Sequence, residues 1–335
     1  MSYRPTSDRV FAWLHETLSI PPIVTGIACS LALGGLALWG TWLIGIVDDV
    51  AAGLAPDIAV RAPVTLYMMV GYLPMALYYL GVWSDDHLAT LAHNFKLQRR
   101  AVAYPRTLAN LVGVAGSVTM YFLFLHEADD PLRLFAPLRW SGDYVLPLAG
   151  LVLMGWFIFR FMFLLIWNAL DVSRTASQID HIDLFDTSRV KPYAQQGVRS
   201  SLLAVVGLSI SANLWLDPNS PTVGTIASVI MLVVASALAL LLPTWGIHQR
   251  LKAAKETELK QVRRAIVSRK DPQTRTVDDA QQLRADLAIE ARLGEVSEWP
   301  FDAGSYGRVA LYILLGLGSW VGAALVERLL EAFGA

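Results

Sequence analysis

Cysteine is almost absent. Cys29 is the single one among 335 residues, which excludes a disulfide framework and a thiolate metal cluster and leaves the redox compartment open. Charge is scarce as well: Asp, Glu, Lys and Arg make up 16 % of the chain, where soluble domains carry about 25 %. With 27 basic residues set against 28 acidic ones, there is no concentrated cationic surface for the counterion release that drives nucleic-acid binding. Catalytic motifs are missing too. His15-Glu16 is followed by Ser19 where a zincin needs its second histidine, and there is no phosphate loop, no G-x-S-x-G elbow and no pair of intramembrane aspartates. No enzyme activity, cofactor or metal is therefore expected. Asp85, Asp86, His87 and His93 form the one cluster of ligand-type residues, and they read as a hydrated helix end.

Apolar residues are what the chain has in excess, at 55 % with a mean hydropathy of +0.46. A membrane helix needs about 20 mainly apolar residues to cross about 30 Å of hydrocarbon. Seven runs approach this: Pro22–Val47, Pro63–Trp83, Leu108–Leu125, Tyr144–Leu170, Ser200–Leu216, Thr222–Trp245 and Val309–Val326, and all 28 acids lie outside them. The expected fold class is an all-α, multi-pass protein of the cell membrane with seven transmembrane helices, its immediate partner being the lipid bilayer. Met1–Ser19 mixes Arg4, Asp8, Arg9 and Glu16 with Phe11, Trp13 and Leu14, which is too polar for a secretory signal and reads as a short interfacial helix.

Lys and Arg are sorted between alternate loops. The N-terminus, 84–107, 171–199 and 246–308 hold 22 of them, whereas the opposite side holds four: Arg61, Arg133, Arg139 and Arg328. The positive-inside rule puts the N-terminus in the cytoplasm and the C-terminus outside. G-protein-coupled receptors and microbial rhodopsins have the reverse orientation, and the last run also lacks the lysine a retinal would need.

Three regions follow: residues 1–245 with the interfacial helix, six spans and a cytoplasmic loop at 171–199; 246–308, a cytoplasmic helical hairpin; and 309–335, the seventh span with a short tail. In the hairpin, Leu251, Leu259, Val262 and Ile266 make one helical stripe and Leu283, Leu287 and Leu293 another, with Asp271–Thr274 as turn chemistry and Thr276 with Asp279 as an N-cap arrangement between them. Trp299-Pro300 marks the return to the membrane. Ile179, Ile182, Leu184, Phe185 and Val190 give the 171–199 loop an apolar side for packing.

Polar groups inside the spans are the candidate site. Arg160 in the fourth span is either functional or snorkels about two turns toward Asn168 and the cytoplasmic interface. Ser209, Ser211 and Asn213 either line a small-molecule pocket or bond neighbouring helices. The seventh span carries Tyr312, Leu315, Ser319, Gly322 and Val326 along one stripe, and Gly318–Gly322 is a G-x-x-x-G pair. This suits close packing and equally a pore lining with a hydrophobic constriction.

Seven spans, an inside N-terminus, short outer loops, and cytoplasmic extensions after spans four and six resemble the insect odorant and gustatory receptor type of ion channel. The final-helix signature of that family, Thr-Tyr, five hydrophobics and Gln-Phe, is matched by Tyr312 and, apart from Gly316, by the spacer Ile313–Leu317, with Gly318 and Ser319 in place of Gln-Phe. The resemblance implies a homotetramer whose last helix lines a central pore, a cytoplasmic anchor, and a ligand pocket among the outer halves of helices two to six. Ten acids against four bases on the outer side would concentrate cations at the mouth. Two alternatives stand beside a ligand-gated or constitutive cation channel. One is a secondary transporter of a small solute with its site at Arg160; the other is a non-conducting scaffold or signalling subunit that uses the hairpin.

Overall fold

The computed structural model describes residues 22–55, 58–94, 105–127, 142–179, 182–185, 190–211, 223–268 and 277–299. The interfacial helix expected before residue 20, the turn at 271–274, Thr276, Asn213 and the whole seventh span with its stripe from Tyr312 to Val326 lie outside these residues. No strand occurs among the described residues; all regular structure is helical.

Helix α1 (Pro22–Leu43) begins on a proline, whose fixed φ suits a first turn and whose missing N–H costs nothing there. Its small residues Gly26, Ser30, Gly34, Ala37 and Thr41 recur at helical spacing and are buried, while Ile27, Leu31, Leu38 and Trp42 stay exposed. This reverses the arrangement of a helix folded in water, where the large apolar side chains go inward. The first apolar run extends to Val47, but the helix ends at Leu43. Gly45 adopts φ 80° there, a left-handed conformation that side chains with a Cβ resist, and the short helix α2 (Ile46–Ala51) follows.

Helix α3 (Ile58–Asn94) continues eleven residues past the expected end at Trp83. Helix α4 (Arg106–Glu127) and helix α5 (Gly142–Ser177) form the next pair. Helix α6 (Lys191–Ser211) starts nine residues before the expected fifth span. Helix α7 (Val223–Ser268) runs unbroken for 46 residues, so the run expected as the sixth span and the first arm of the hairpin are one helix. Helix α8 (Val277–Glu295) is the returning arm. Three segments, Val24–Leu43, Ala59–Gly81 and Val145–Ser177, are long and apolar enough to cross a membrane, and Thr107–Leu123 is apolar but shorter.

The helices pack as α1 on α3, α4 on α5 and α6 on α7, with α5 bridging α3 and α7. One core lies at the α3–α5 interface, where Met69, Leu73, Ile158, Phe161 and Leu165 are almost fully buried. A second gathers around the end of α5, from Val172 and Ala176 through Ile179, Ile182, Leu184 and Val190 to Tyr193, and includes Ile247 and Leu251 of α7 and Leu293 of α8. The 171–199 loop is thus packed, as its apolar residues predict, except that Phe185 remains exposed beneath the Arg292 guanidinium. Burial pushes the Tyr193 hydroxyl above its ordinary pKa.

Candidate functional site

Arg160 sits near the middle of α5. In a helix the Cα–Cβ bond tilts toward the N-terminus, and the guanidinium carbon accordingly lies 5.4 Å from the Trp156 ring centroid one turn earlier. It does not reach toward Asn168, whose side-chain amide donates to the Leu80 carbonyl of α3 at 3.1 Å. Room for the arginine stem comes from Gly113 of α4, where a Cβ would stand 3.0 Å from Arg160 Cγ and Cδ. The buried Nε has no hydrogen-bond partner among the described residues. A cation over a ring is worth about 0.5–2 kcal/mol, less than an intramembrane charge costs, and this leaves Arg160 with capacity for a further partner.

Two serines of the expected fifth span, Ser209 and Ser211, lie at the end of α6. Ser209 donates to the Val205 carbonyl of its own helix at 3.0 Å, and Ser211 is buried in α6. The polar group that joins α6 to α7 is one the sequence reading passed over: Ser201 and Ser236 hydroxyls meet at 2.8 Å. Similar bonds join the other pairs, from Ser30 to the Met68 carbonyl, Ser117 to the Val152 carbonyl and Tyr72 to the Leu203 carbonyl. Each is worth about 0.6 kcal/mol in a membrane setting. Together they set register more than stability.

Glycines mark where the helices cross. A Cβ on Gly116 would stand 2.5 Å from the Gly155 carbonyl oxygen, and one on Gly155 would stand 2.7 Å from that of Gly116. Gly71 lies against the backbone of Cys29 and Ser30, Gly197 against the Leu240 carbonyl and Gly246 against the Ser173 carbonyl. Backbones touch at these places, which is the packing that small residues permit in lipid. The signal is legible in the sequence as G-x-x-x-S-x-x-x-G over residues 26–34.

The base of the hairpin is a second polar site. His248 stacks on Trp299 with centroids 4.2 Å apart, and Trp245 flanks both rings. His248 Nδ1 is 2.9 Å from the Glu298 carbonyl oxygen, so that nitrogen bears the proton and donates. Lys255 Nζ donates to the Gly294 and Val296 carbonyls at 3.1 and 2.8 Å, which satisfies carbonyls left open at the end of α8. Arg250 donates to the Ser177 carbonyl. A cavity of about 250 Å³ lies beside it, between Ile179 and Ile182 on one wall and Thr257 and Glu258 of α7 on the other. Farther out, Arg263 Nε and Glu290 Oε1 pair at 2.7 Å across the two arms. Leu259 and Val262 are half-buried and Ile266 buried, as their stripe predicts, but Leu287 faces outward at 48 % exposure.

Among the described residues no three His, Cys, Asp or Glu side chains converge as a metal site. Comparison of the chain with protein-family models, with curated proteins and with solved structures finds no match.

Proposed function

We propose that this chain is a subunit of an oligomeric cation channel, embedded in the cell membrane by seven helices with the N-terminus cytoplasmic and the C-terminus outside. Residues 309–326 would line the pore along Tyr312, Leu315, Ser319, Gly322 and Val326. The hairpin would form a cytoplasmic platform on which copies assemble, a homotetramer by the resemblance to insect odorant and gustatory receptors. One observation carries this reading. The two extensions, 179–193 and 246–293, are distant in the chain, and they share a single hydrophobic cluster with the end of α5. A platform built from those two extensions is what the resemblance implies. Val267, Leu287 and Ile289 remain exposed on it, apolar surface that assembly would cover. The exposed large apolar residues of α1 and α4 fit acyl chains.

The topology is checked by reporters. One inserted near Asp271 should be cytoplasmic and one fused after Ala335 extracytoplasmic, because basic residues stand at 22 against four. Both on one side would remove the seventh crossing and the pore with it.

Conduction is checked by single-channel recording of the purified chain in bilayers. A hydrophobic constriction conducts when it wets, so Leu315→Ser should raise basal open probability several-fold without ligand. In a Cys29→Ser background, cysteines at Leu315, Ser319 and Gly322 should react with aqueous thiol reagents, while those at Leu314 and Leu317 should not. Uniform protection would move the transporter reading ahead. That reading is favoured by Arg160, a midspan cation whose Nε has no hydrogen-bond partner among the described residues, and it expects solute counterflow without unitary currents.

A further inference from the structure

A small cleft of about 60 Å³ opens where α1, α3 and α6 meet. Tyr72, Met75, Ala76 and Tyr79 face it from α3, at spacings of three and four that place them on one side of a helix. Arg199, Leu202 and Leu203 face it from α6 by the same rule, and Gly26 closes it from α1. The Tyr72 hydroxyl is committed to the Leu203 carbonyl at 2.7 Å, which ties the inner wall together and leaves that wall apolar. Polar chemistry is concentrated on the half-buried Tyr79 and Arg199. Both side chains also take part in interactions within the chain.

Depth decides what such a cleft can hold. Gly26 is in the second turn of α1, Tyr79 is two residues from the end of the apolar segment Ala59–Gly81, and Arg199 precedes the apolar half of α6. All three therefore lie near one boundary of the bundle, with the wall of Met75, Ala76, Leu202 and Leu203 extending inward from it. An apolar wall that ends in a guanidinium and a phenol at a membrane boundary matches a molecule with a hydrocarbon chain and an anionic head.

We propose that this cleft binds an anionic phospholipid, with the headgroup phosphate at Arg199 and Tyr79 and the start of an acyl chain along Leu202 and Leu203. The site shares no residue with the pore stripe and needs only the membrane-embedded bundle of the reading above. Bound lipid would join α1 and α3 to α6, so that the charge of the surrounding leaflet bears on how these helices pack.

Native mass spectrometry of the full chain in mild detergent tests this, with phosphatidylglycerol and phosphatidylcholine of identical acyl chains supplied in equal amounts. The parent protein should retain the anionic lipid in preference, Arg199→Gln should lower that preference about tenfold, as loss of one charge-assisted contact does, and Tyr79→Phe should lower it a few-fold. Leu202→Trp, which fills the cleft without altering charge, should abolish retention of both lipids at this site. If Arg199→Gln fails to fold by size exclusion, the other two variants decide. Equal retention of the two lipids by the parent, an undiminished preference in the variants, or full displacement by millimolar inorganic phosphate would overturn the lipid assignment. A chain that stays soluble and monodisperse without detergent would overturn the membrane reading instead.

Discussion

Gly155→Val is expected to abolish folding of the α4–α5 pair, seen as loss of monodisperse protein in detergent or a stability decrease of about 3 kcal/mol or more. Overpacking a close-fitting interior costs about 1–3 kcal/mol when side chains can move aside. At this crossing the obstacles are the Gly116 carbonyl at 2.7 Å and Met120 Cγ at 2.8 Å from the new Cβ. The backbone cannot yield without separating the helices, and Ser117 would then lose its bond to the Val152 carbonyl. Gly35, also mid-helix, has open space around it. Gly35→Ala should leave stability unchanged or raise it by about 0.5–1 kcal/mol, since alanine is the better helix former. Thermal unfolding of both variants in one detergent checks the contrast, and equal stability would mean that the two helices do not cross at these glycines.

Leu251→Ala should separate the hairpin from the bundle without unfolding the bundle. Leu251 is 1 % exposed and sits where α7 leaves the membrane-type core and meets Ile179, Ile182 and Leu293 in the second cluster. Truncating such a leucine costs about 2–5 kcal/mol. The loss falls on a region held otherwise by the Lys255 bonds to the Gly294 and Val296 carbonyls and by the surface pair of Arg263 with Glu290, which are worth about 1 kcal/mol or less each. Amide exchange should therefore rise at least tenfold across 277–295 while 59–81 keeps its protection. Exchange that rises equally in both segments would show that bundle and hairpin unfold as one unit.

Helix positions were legible from apolar runs because lipid-type helices need length before anything else. Each of the first six runs overlaps a helix, and the two-armed hairpin follows from its stripe at Leu251, Leu259 and Ile266. Helix ends were less legible: α3 continues through Asp85 and Asp86 to Asn94, since a helix need not stop where the hydrocarbon does. The packing faces of α1 and α4 are not legible from apolar periodicity, for a different reason. A period-3.6 search rewards large apolar side chains, and in α1 and α4 these point away from the neighbours while glycine, serine and alanine point toward them. Leu287, on the second stripe of the hairpin, is exposed. Arg160 was found as an isolated charge, but its direction followed from the helix tilt toward Trp156 and Gly113, which spacing alone does not reveal.

Helix α7 has a mechanical consequence. At 1.5 Å per residue its 46 residues form a rod of about 69 Å, and the backbone contact of Gly246 with Ser173 falls almost at its midpoint. The arms on either side are of nearly equal length, about 33–35 Å. Tilting the rod by about 5° around that contact would carry its two ends about 3 Å in opposite directions. A push on the hairpin tip would thus arrive at the opposite end of the bundle reversed in sense, as in a balance beam, less whatever Pro243 beside the contact absorbs by bending.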